Sequence, residues 1–247
     1  SDVYKRQPQE GAKMLTDFCA SEKSSNSIQE TYDNAMGAGV AACAVAALDM
    51  ALWDLRAKQA SLPLYKLLGL SRNVVSTSVT VGINPPEVVR ERIPLLLDGT
   101  GVKALKVKLG SPDGLDADQA MFSAVLEMTE NRSTVIRVDA NGGWTVPEAK
   151  KMMQWLADRG VEYIEQPLKK GEEDGLIQLF KDRPLPIYVD ESCRVSSDIP
   201  HFADRVDGVN LKLMKCGGIT EALRIVSTAR AFGLKTMIGC MGESSVS

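Results

Sequence analysis

Histidine is almost missing from this chain: His201 is the only one in 247 residues. A Ser-His-Asp hydrolase and a histidine-rich zinc site are thereby close to excluded. His201 falls in a stretch expected to be helical and reads as a partly exposed residue rather than a catalytic one. The five cysteines (Cys19, Cys43, Cys193, Cys216, Cys240) are odd in number and scattered, with no CxxC pair. They read as reduced thiols of a cytoplasmic protein, not as a disulfide or zinc framework. An excess of basic residues is lacking too. Lys and Arg total 29 against 32 Asp and Glu, a net charge of −3, and no polybasic run occurs, so neither nucleic acid nor an anionic membrane is an expected partner. The richest apolar run, 41–55, is broken by Asp49 and Asp54 and is too short to span a bilayer. No secretory signal is visible, and there is no GxGxxG and no P-loop. Chemistry here is left to carboxylates and amines.

What the chain does have is a repeat. Three short apolar runs each end in an acid: VIRVD at Asp139, VEYIE at Glu165 and PIYVD at Asp190. The spacings, 165 − 139 = 26 and 190 − 165 = 25 residues, hold one strand, one helix and two loops, so the unit is βα and the sheet is parallel. The rhythm predicts strands near 75–82, 103–109, 134–139, 161–165, 186–190, 208–213 and 235–239. Helices are expected near 86–98, 115–130, 146–158, 172–181, 196–203 and 219–232. Open doubly wound sheets usually stop at five or six strands and carry a glycine-rich first turn. Seven strands on this period fit an α/β fold of the (β/α) TIM-barrel type, truncated before its last helix and strand.

Ahead of the repeat the chain is helical. In AACAVAALDMALWDLRAKQA the apolar residues Val45, Leu48, Leu52 and Leu55 recur three and four apart, as on one helix face; Asp49, Asp54 and Arg56 read as surface charges. SLPLYKLLGL predicts a short helix with Pro63 in its first turn and Gly69 as its stop. The expected division is 1–72 helical and 73–247 barrel, and 44% hydrophobic content supports a core in each. Residues 2–7 (DVYKRQ) resemble translated adaptor sequence, so 1–7 are expected to be non-native and the chain to be a fragment. An unclosed barrel that is inactive and unstable on its own is one consequence.

In parallel sheets catalytic groups gather at the carboxyl ends of strands. Alternation puts Asp139 with Arg137, Glu165 with Tyr163 and Asp190 with Tyr188 on the inward face, opposite Ile136, Val138, Ile164, Ile187 and Val189. One acid ending a strand is ordinarily a turn or cap residue; three in step suggest a shared ion. An all-oxygen set favours Mg²⁺ or Mn²⁺ over Zn²⁺. In KALKVKLG, Lys106 and Lys108 share a face on the preceding strand. In VNLKLMKCGG, Lys212 stands at the rim one strand after Asp190, while Lys215 reads as a loop residue. The rim thus runs Lys-Lys, Asp, Glu, Asp, Lys. A lysine beside a cation and another lysine loses its proton more easily. Such a rim suits abstraction of a proton next to a carboxylate, with the ion stabilising the enediolate. A metal-free aldolase with Lys212 as Schiff-base amine is a second class.

LKVK, RVDANGGW, VEYIEQPL, YVDES and VNLKLMKCGGITEA together resemble the muconate-lactonising subgroup of the enolase superfamily, and with MIGCMGESS most resemble dipeptide epimerases of the L-Ala-D/L-Glu type. The resemblance implies Mg²⁺ on Asp139, Glu165 and Asp190, with Asn141 and Glu191 beside those ligands. It implies Lys108 and Lys212 as acid/base groups on opposite faces of a small dipeptide, and Lys106 and Glu243 near the substrate. It makes 1–72 the helical remnant of an α+β capping domain and implies a homo-oligomer. Alternative reactions of the same superfamily are those of o-succinylbenzoate synthases and muconate cycloisomerases. This chain departs from the pattern in lacking the β-rich part of the cap and the eighth strand, whose acidic motif holds a dipeptide's amine, and in having Gly142 where the family often has Gln.

Overall fold

The computed structural model describes residues 8–21, 27–73 and 75–241. The expected adaptor residues 1–7, part of the polar break before residue 27, and Glu243 lie outside the described residues. The chain divides into two compact units: residues 1–73, 193–201 and 209–247 form one, and residues 74–192 and 202–208 the other.

The second unit holds the acid-bearing repeat. Its strands are β1 (Ser78–Val81), β2 (Ala104–Lys108), β3 (Val135–Asp139), β4 (Ile164–Glu165) and β5 (Ile187–Val189), and its helices are α5 (Pro86–Leu97), α6 (Leu115–Thr129), α7 (Val146–Ala157) and α8 (Leu176–Phe180). Every adjacent pair from β1 to β5 is parallel, as crossover connections of this length require. The outward positions Ile136, Val138, Ile164, Ile187 and Val189 are buried, as are Phe122, Met152 and Leu156 of the helices. Phe122 meets Trp155 edge-on at 5.6 Å, joining α6 to α7. Helix α7 starts where it does because Glu148 reaches back to the Thr145 N–H at 2.8 Å and the Thr145 hydroxyl at 2.7 Å. The β4 strand is shorter than the repeat suggests. The expected helix over 172–181 splits into a 3₁₀ turn, Glu173–Gly175, followed by α8.

The first unit holds α1 (Pro8–Ser21), α2 (Ile28–Gly37), α3 (Ala42–Gln59) and α4 (Leu64–Leu67). From the barrel sequence it takes a 3₁₀ segment Ser196–Phe202 up to His201, most of β6 (Gly208–Leu211), α9 (Leu213–Cys216), α10 (Ile219–Ala231) and β7 (Lys235–Ile238). The 3₁₀ segment replaces the expected helix over 196–203; Pro200 lies within it and supplies no N–H for an α-helical ladder. His201 is exposed, as expected. Within the second unit strand order follows the chain from β1 to β5, which is the order of a (β/α) barrel and not of a doubly wound sheet. Among the described residues no helix is long and apolar enough to cross a membrane.

The apolar face expected on α3 needs correction. Leu55 is half exposed, and the buried positions are Ala44, Val45, Ala46, Asp49 and Ala57. Asp49, expected at the surface, is only 2% exposed. Its carboxylate accepts the Thr220 N–H at 3.0 Å and the Thr220 hydroxyl at 2.5 Å, and the Trp53 indole N–H donates to the same hydroxyl at 3.0 Å. The N-terminus of α10 has Gly218 in the capping position and no side-chain cap of its own, so α3 supplies the acceptor its first turn lacks. Burial nevertheless pushes the Asp49 carboxyl above its ordinary range.

Candidate active site

Register places the chemistry of the second unit in one row. Lys108 is the β3-facing partner of Asp139, Asp139 of Glu165, and Glu165 of Tyr188. Neighbouring strands are about 4.8 Å apart and partners project to the same side. Asp190, two residues past Tyr188, follows on that side at the end of β5. Asp139 is 1% exposed, Glu165 0% and Asp190 1%. Buried carboxylates cost several kcal/mol unless paired, and the KxK lysines supply cations. Lys106 Nζ lies 3.2 Å from Glu165 Oε2 and 3.7 Å from Asp139 Oδ2, and Lys108 Nζ lies 3.1 Å from Asp139 Oδ2. Both ammoniums turn onto the acids, which a solvated edge strand would not show.

Asn141 gathers the surroundings of Asp139. Its side-chain oxygen accepts from Lys108 Nζ at 2.9 Å, while its amide nitrogen donates to Asp139 Oδ2 at 3.2 Å and to Glu191 Oε1 at 3.4 Å. Its backbone N–H donates to Asp139 Oδ1 at 3.0 Å, and its φ of 46° is one that asparagine tolerates well. The two residues expected beside the ligands, Asn141 and Glu191, are therefore in contact with each other. One layer below, Arg137 Cζ lies 5.6 Å from the Tyr163 ring centre, and Tyr163 packs on Tyr188 at 4.6 Å. Burial raises both phenols above their ordinary value, so neither ionises near neutrality.

The turns carrying these groups are held by a residue that the sequence pattern did not reveal. Asp118, on the first turn of α6, accepts the N–H groups of Gly110 and Ser111 at 2.9 Å each and the Trp144 indole N–H at 2.9 Å. It thus ties the turn after Lys108 to the turn after Asn141. Read from sequence it is one more acid in a helix start; the only hint was a tryptophan whose N–H must find an acceptor if buried. The same two turns touch at glycine: a Cβ on Gly143 would collide with the Gly110 backbone. The departure at Gly142 also has a local reason. Its φ is +70°, and a Cβ there would lie 2.9 Å from Lys169 Cα, so the glutamine common in the family does not fit this backbone.

Lys212 belongs to the first unit. It stands between β6 and α9, 7% exposed, with an extended backbone. Lys215 corrects the expectation of a loop residue: it lies in α9, buried, and its Nζ donates to the Asn210 carbonyl at 2.6 Å. A four-residue helix is too short for periodicity to announce. Cys216 beside it is a buried thiol pushed up to about 11 by desolvation, which makes it unreactive as a nucleophile.

Asp139, Glu165 and Asp190 form an all-oxygen donor set of the kind that Mg²⁺ or Mn²⁺ takes. Two of the three carboxylates already share one cation, the Lys106 ammonium. Among the described residues no three His, Cys, Asp or Glu side chains are drawn together closely enough to hold a metal as they stand. Asp139 and Glu165 are turned toward the lysine ammoniums. The fit to a divalent ion is thus one of donor chemistry and register rather than of a preformed cage.

Residues 89–247 match the family described as enolase C-terminal domain-like, and residues 13–69 match the mandelate racemase/muconate lactonizing enzyme N-terminal domain. A hydrophobic dipeptide epimerase of Roseobacter litoralis is 69% identical over 237 residues, covering 96% of this chain and 68% of that protein. Another, from a Flavobacteria bacterium, is 65% identical over 232 residues, covering 94% of this chain and 66% of its own length. The solved structure of the dipeptide epimerase from Enterococcus faecalis, complexed with Mg and the dipeptide L-Leu-L-Tyr, superimposes with a TM-score of 0.87 at 34% identity, over 98% of this chain and 69% of that one. The chain spans about two thirds of the length of these relatives. With the order of its strands, the acids at their ends and these matches together, the chain belongs to the enolase superfamily, in its mandelate racemase/muconate lactonizing enzyme group.

Proposed function

We propose that the protein is a Mg²⁺-dependent dipeptide epimerase that inverts the α-carbon of the C-terminal residue through an enediolate. The observation that carries this reading is the row Lys108–Asp139–Glu165, in register at the ends of β2, β3 and β4, with both lysines of KxK ion-paired to the acids. Asp139, Glu165 and Asp190 would hold Mg²⁺, which supplies positive charge to the substrate carboxylate as its α-proton leaves. Lys108 takes the proton from one face. Lys212, carried by the strand that follows the last acid, gives one back from the other. Lys106 sits against Glu165 and Asp139, on the same face of β2 as Lys108. Asn141 fixes the Lys108 ammonium at 2.9 Å and so orients it. The two relatives at 69% and 65% identity are both named for hydrophobic dipeptides. That favours an apolar C-terminal residue over the glutamate expected from sequence motifs alone.

The test is solvent-deuterium incorporation into an L,L-dipeptide with an apolar C-terminal residue, followed on the full-length protein. Wild type exchanges the α-proton and forms both epimers. Lys108→Ala abolishes exchange of the isomer it deprotonates, and Lys212→Ala leaves exchange without inversion on that isomer. Absence of exchange in wild type with Mg²⁺ present contradicts the reading.

A further inference from the structure

Gln166 follows Glu165 directly, and its surroundings go beyond what a core amide requires. It is 2% exposed and has φ 42°, a left-handed conformation that L side chains rarely adopt. Among the described residues three non-glycine positions have positive φ: Ser61, Asn141 and Gln166. Two of them come one or two residues after an acid of the row.

The hydrogen bonds of Gln166 reach all three acid-bearing turns. Its backbone carbonyl accepts the Gly142 N–H at 2.8 Å, in the turn after Asp139, and its backbone N–H donates to the Tyr188 carbonyl at 2.8 Å. Its side-chain oxygen accepts the Asp190 N–H at 2.8 Å and the Ser192 N–H at 3.4 Å. Its side-chain nitrogen donates to the Leu168 carbonyl and to the Ser192 hydroxyl, at 2.8 Å each. One residue therefore sets the positions of the Asp139, Glu165 and Asp190 backbones relative to each other. The left-handed turn is what brings both its carbonyl and its amide to bear at once.

We propose that Gln166 is a positioning residue for a divalent cation. It fixes the separation of the Glu165 and Asp190 strand ends, and the strain at its backbone is maintained for that purpose. The proposal rests on the reading of Asp139, Glu165 and Asp190 as Mg²⁺ ligands. Loss of a group that orients metal ligands typically costs about 10- to 100-fold in affinity. A side chain that merely fills the core would lower stability and leave affinity alone.

The experiment is calorimetric titration of the full-length protein with MgCl₂, comparing wild type, Gln166→Met, Ser192→Ala and Phe122→Leu. Gln166→Met keeps the bulk and removes every side-chain hydrogen bond. Ser192→Ala removes one of those bonds and is the milder variant if the first does not fold. Phe122→Leu destabilises the helical layer away from the acids. Weakening of Mg²⁺ binding by about 10- to 100-fold in Gln166→Met, by a smaller factor in Ser192→Ala and not at all in Phe122→Leu bears the proposal out. Wild-type affinity in a folded Gln166→Met, or, where that variant does not fold, in Ser192→Ala, overturns it while leaving the metal reading standing. Failure of wild type to bind Mg²⁺ overturns the metal reading and the proposal with it.

Discussion

Lys106 Nζ lies 3.2 Å from Glu165 Oε2 and 3.7 Å from Asp139 Oδ2, so that one ammonium bridges the buried acids of two adjacent strands. The lysine itself is 15% exposed at its side chain and the acids essentially not at all. Within the second unit this contact joins the KxK strand to the two strands that follow it.

Replacing Lys106 with methionine removes that shared charge from two carboxylates in a low-dielectric site. Breaking one partner of a buried pair costs about 3–5 kcal/mol. The expected outcome is a lowered thermal midpoint for Lys106→Met without Mg²⁺, and a larger recovery on adding Mg²⁺ than wild type shows. Equal recovery in the two proteins would mean that Lys106 does not share the acids with the ion.

The glycine contact between the turns after β2 and β3 leaves no room for a methyl group. Gly143→Ala must separate the Gly110 backbone from its own, an overpacking that costs about 1–3 kcal/mol. Because those turns carry Lys108 and Asn141, kcat should fall along with stability. Equilibrium denaturation and steady-state rates measure the two effects; a variant of unchanged stability would show that the turns do not pack as described.

Arg224 of α10 makes two hydrogen bonds to Asp33 of α2, at 2.7 and 3.1 Å. These bonds, chiefly, hold the Asp33 carboxyl below its ordinary value of 3.8. A carboxyl depressed in the folded state contributes stability above its unfolded value, and that contribution disappears as pH falls through the folded one. The pair is exposed, so the contribution is below about 1 kcal/mol. Asp33→Asn should therefore lower the thermal midpoint slightly at neutral pH, with the difference from wild type closing in strong acid. A difference that stays constant with pH would show that the charge of Asp33 is not what matters.

The βα rhythm, the seven strands and the acids at their ends were legible because each rests on a local signal. Period-two alternation ends in a charged residue, and the spacing between ends is fixed by one helix and two loops. Asp49 was misread for the opposite reason. Its burial depends on Thr220, 171 residues away, and a lone acid on a helix surface looks the same whether or not a distant N-terminus needs capping. Asp118 and Gln166 are hidden likewise: besides the Trp144 indole and the Ser192 hydroxyl, their partners are backbone N–H and carbonyl groups, which no motif marks. Lys215 reads as a loop residue because α9 is a single turn of four residues. The three acids are legible as neighbours, but the engagement of Asp139 and Glu165 with ammoniums is not, since side-chain direction within a row depends on which cations lie close by.

The measurement that most directly tests the account is a Mg²⁺ titration of the thermal midpoint of the full-length protein, with Asp139→Asn and Glu165→Gln as controls. A ligand that binds only the folded state stabilises it by about 2.7 kcal/mol at a hundred times its Kd. The account predicts a rise in wild type that saturates with Mg²⁺ and is lost in both variants. No rise in wild type, or a rise that both variants retain, would contradict a metal site on these acids and the proton-transfer chemistry built around it.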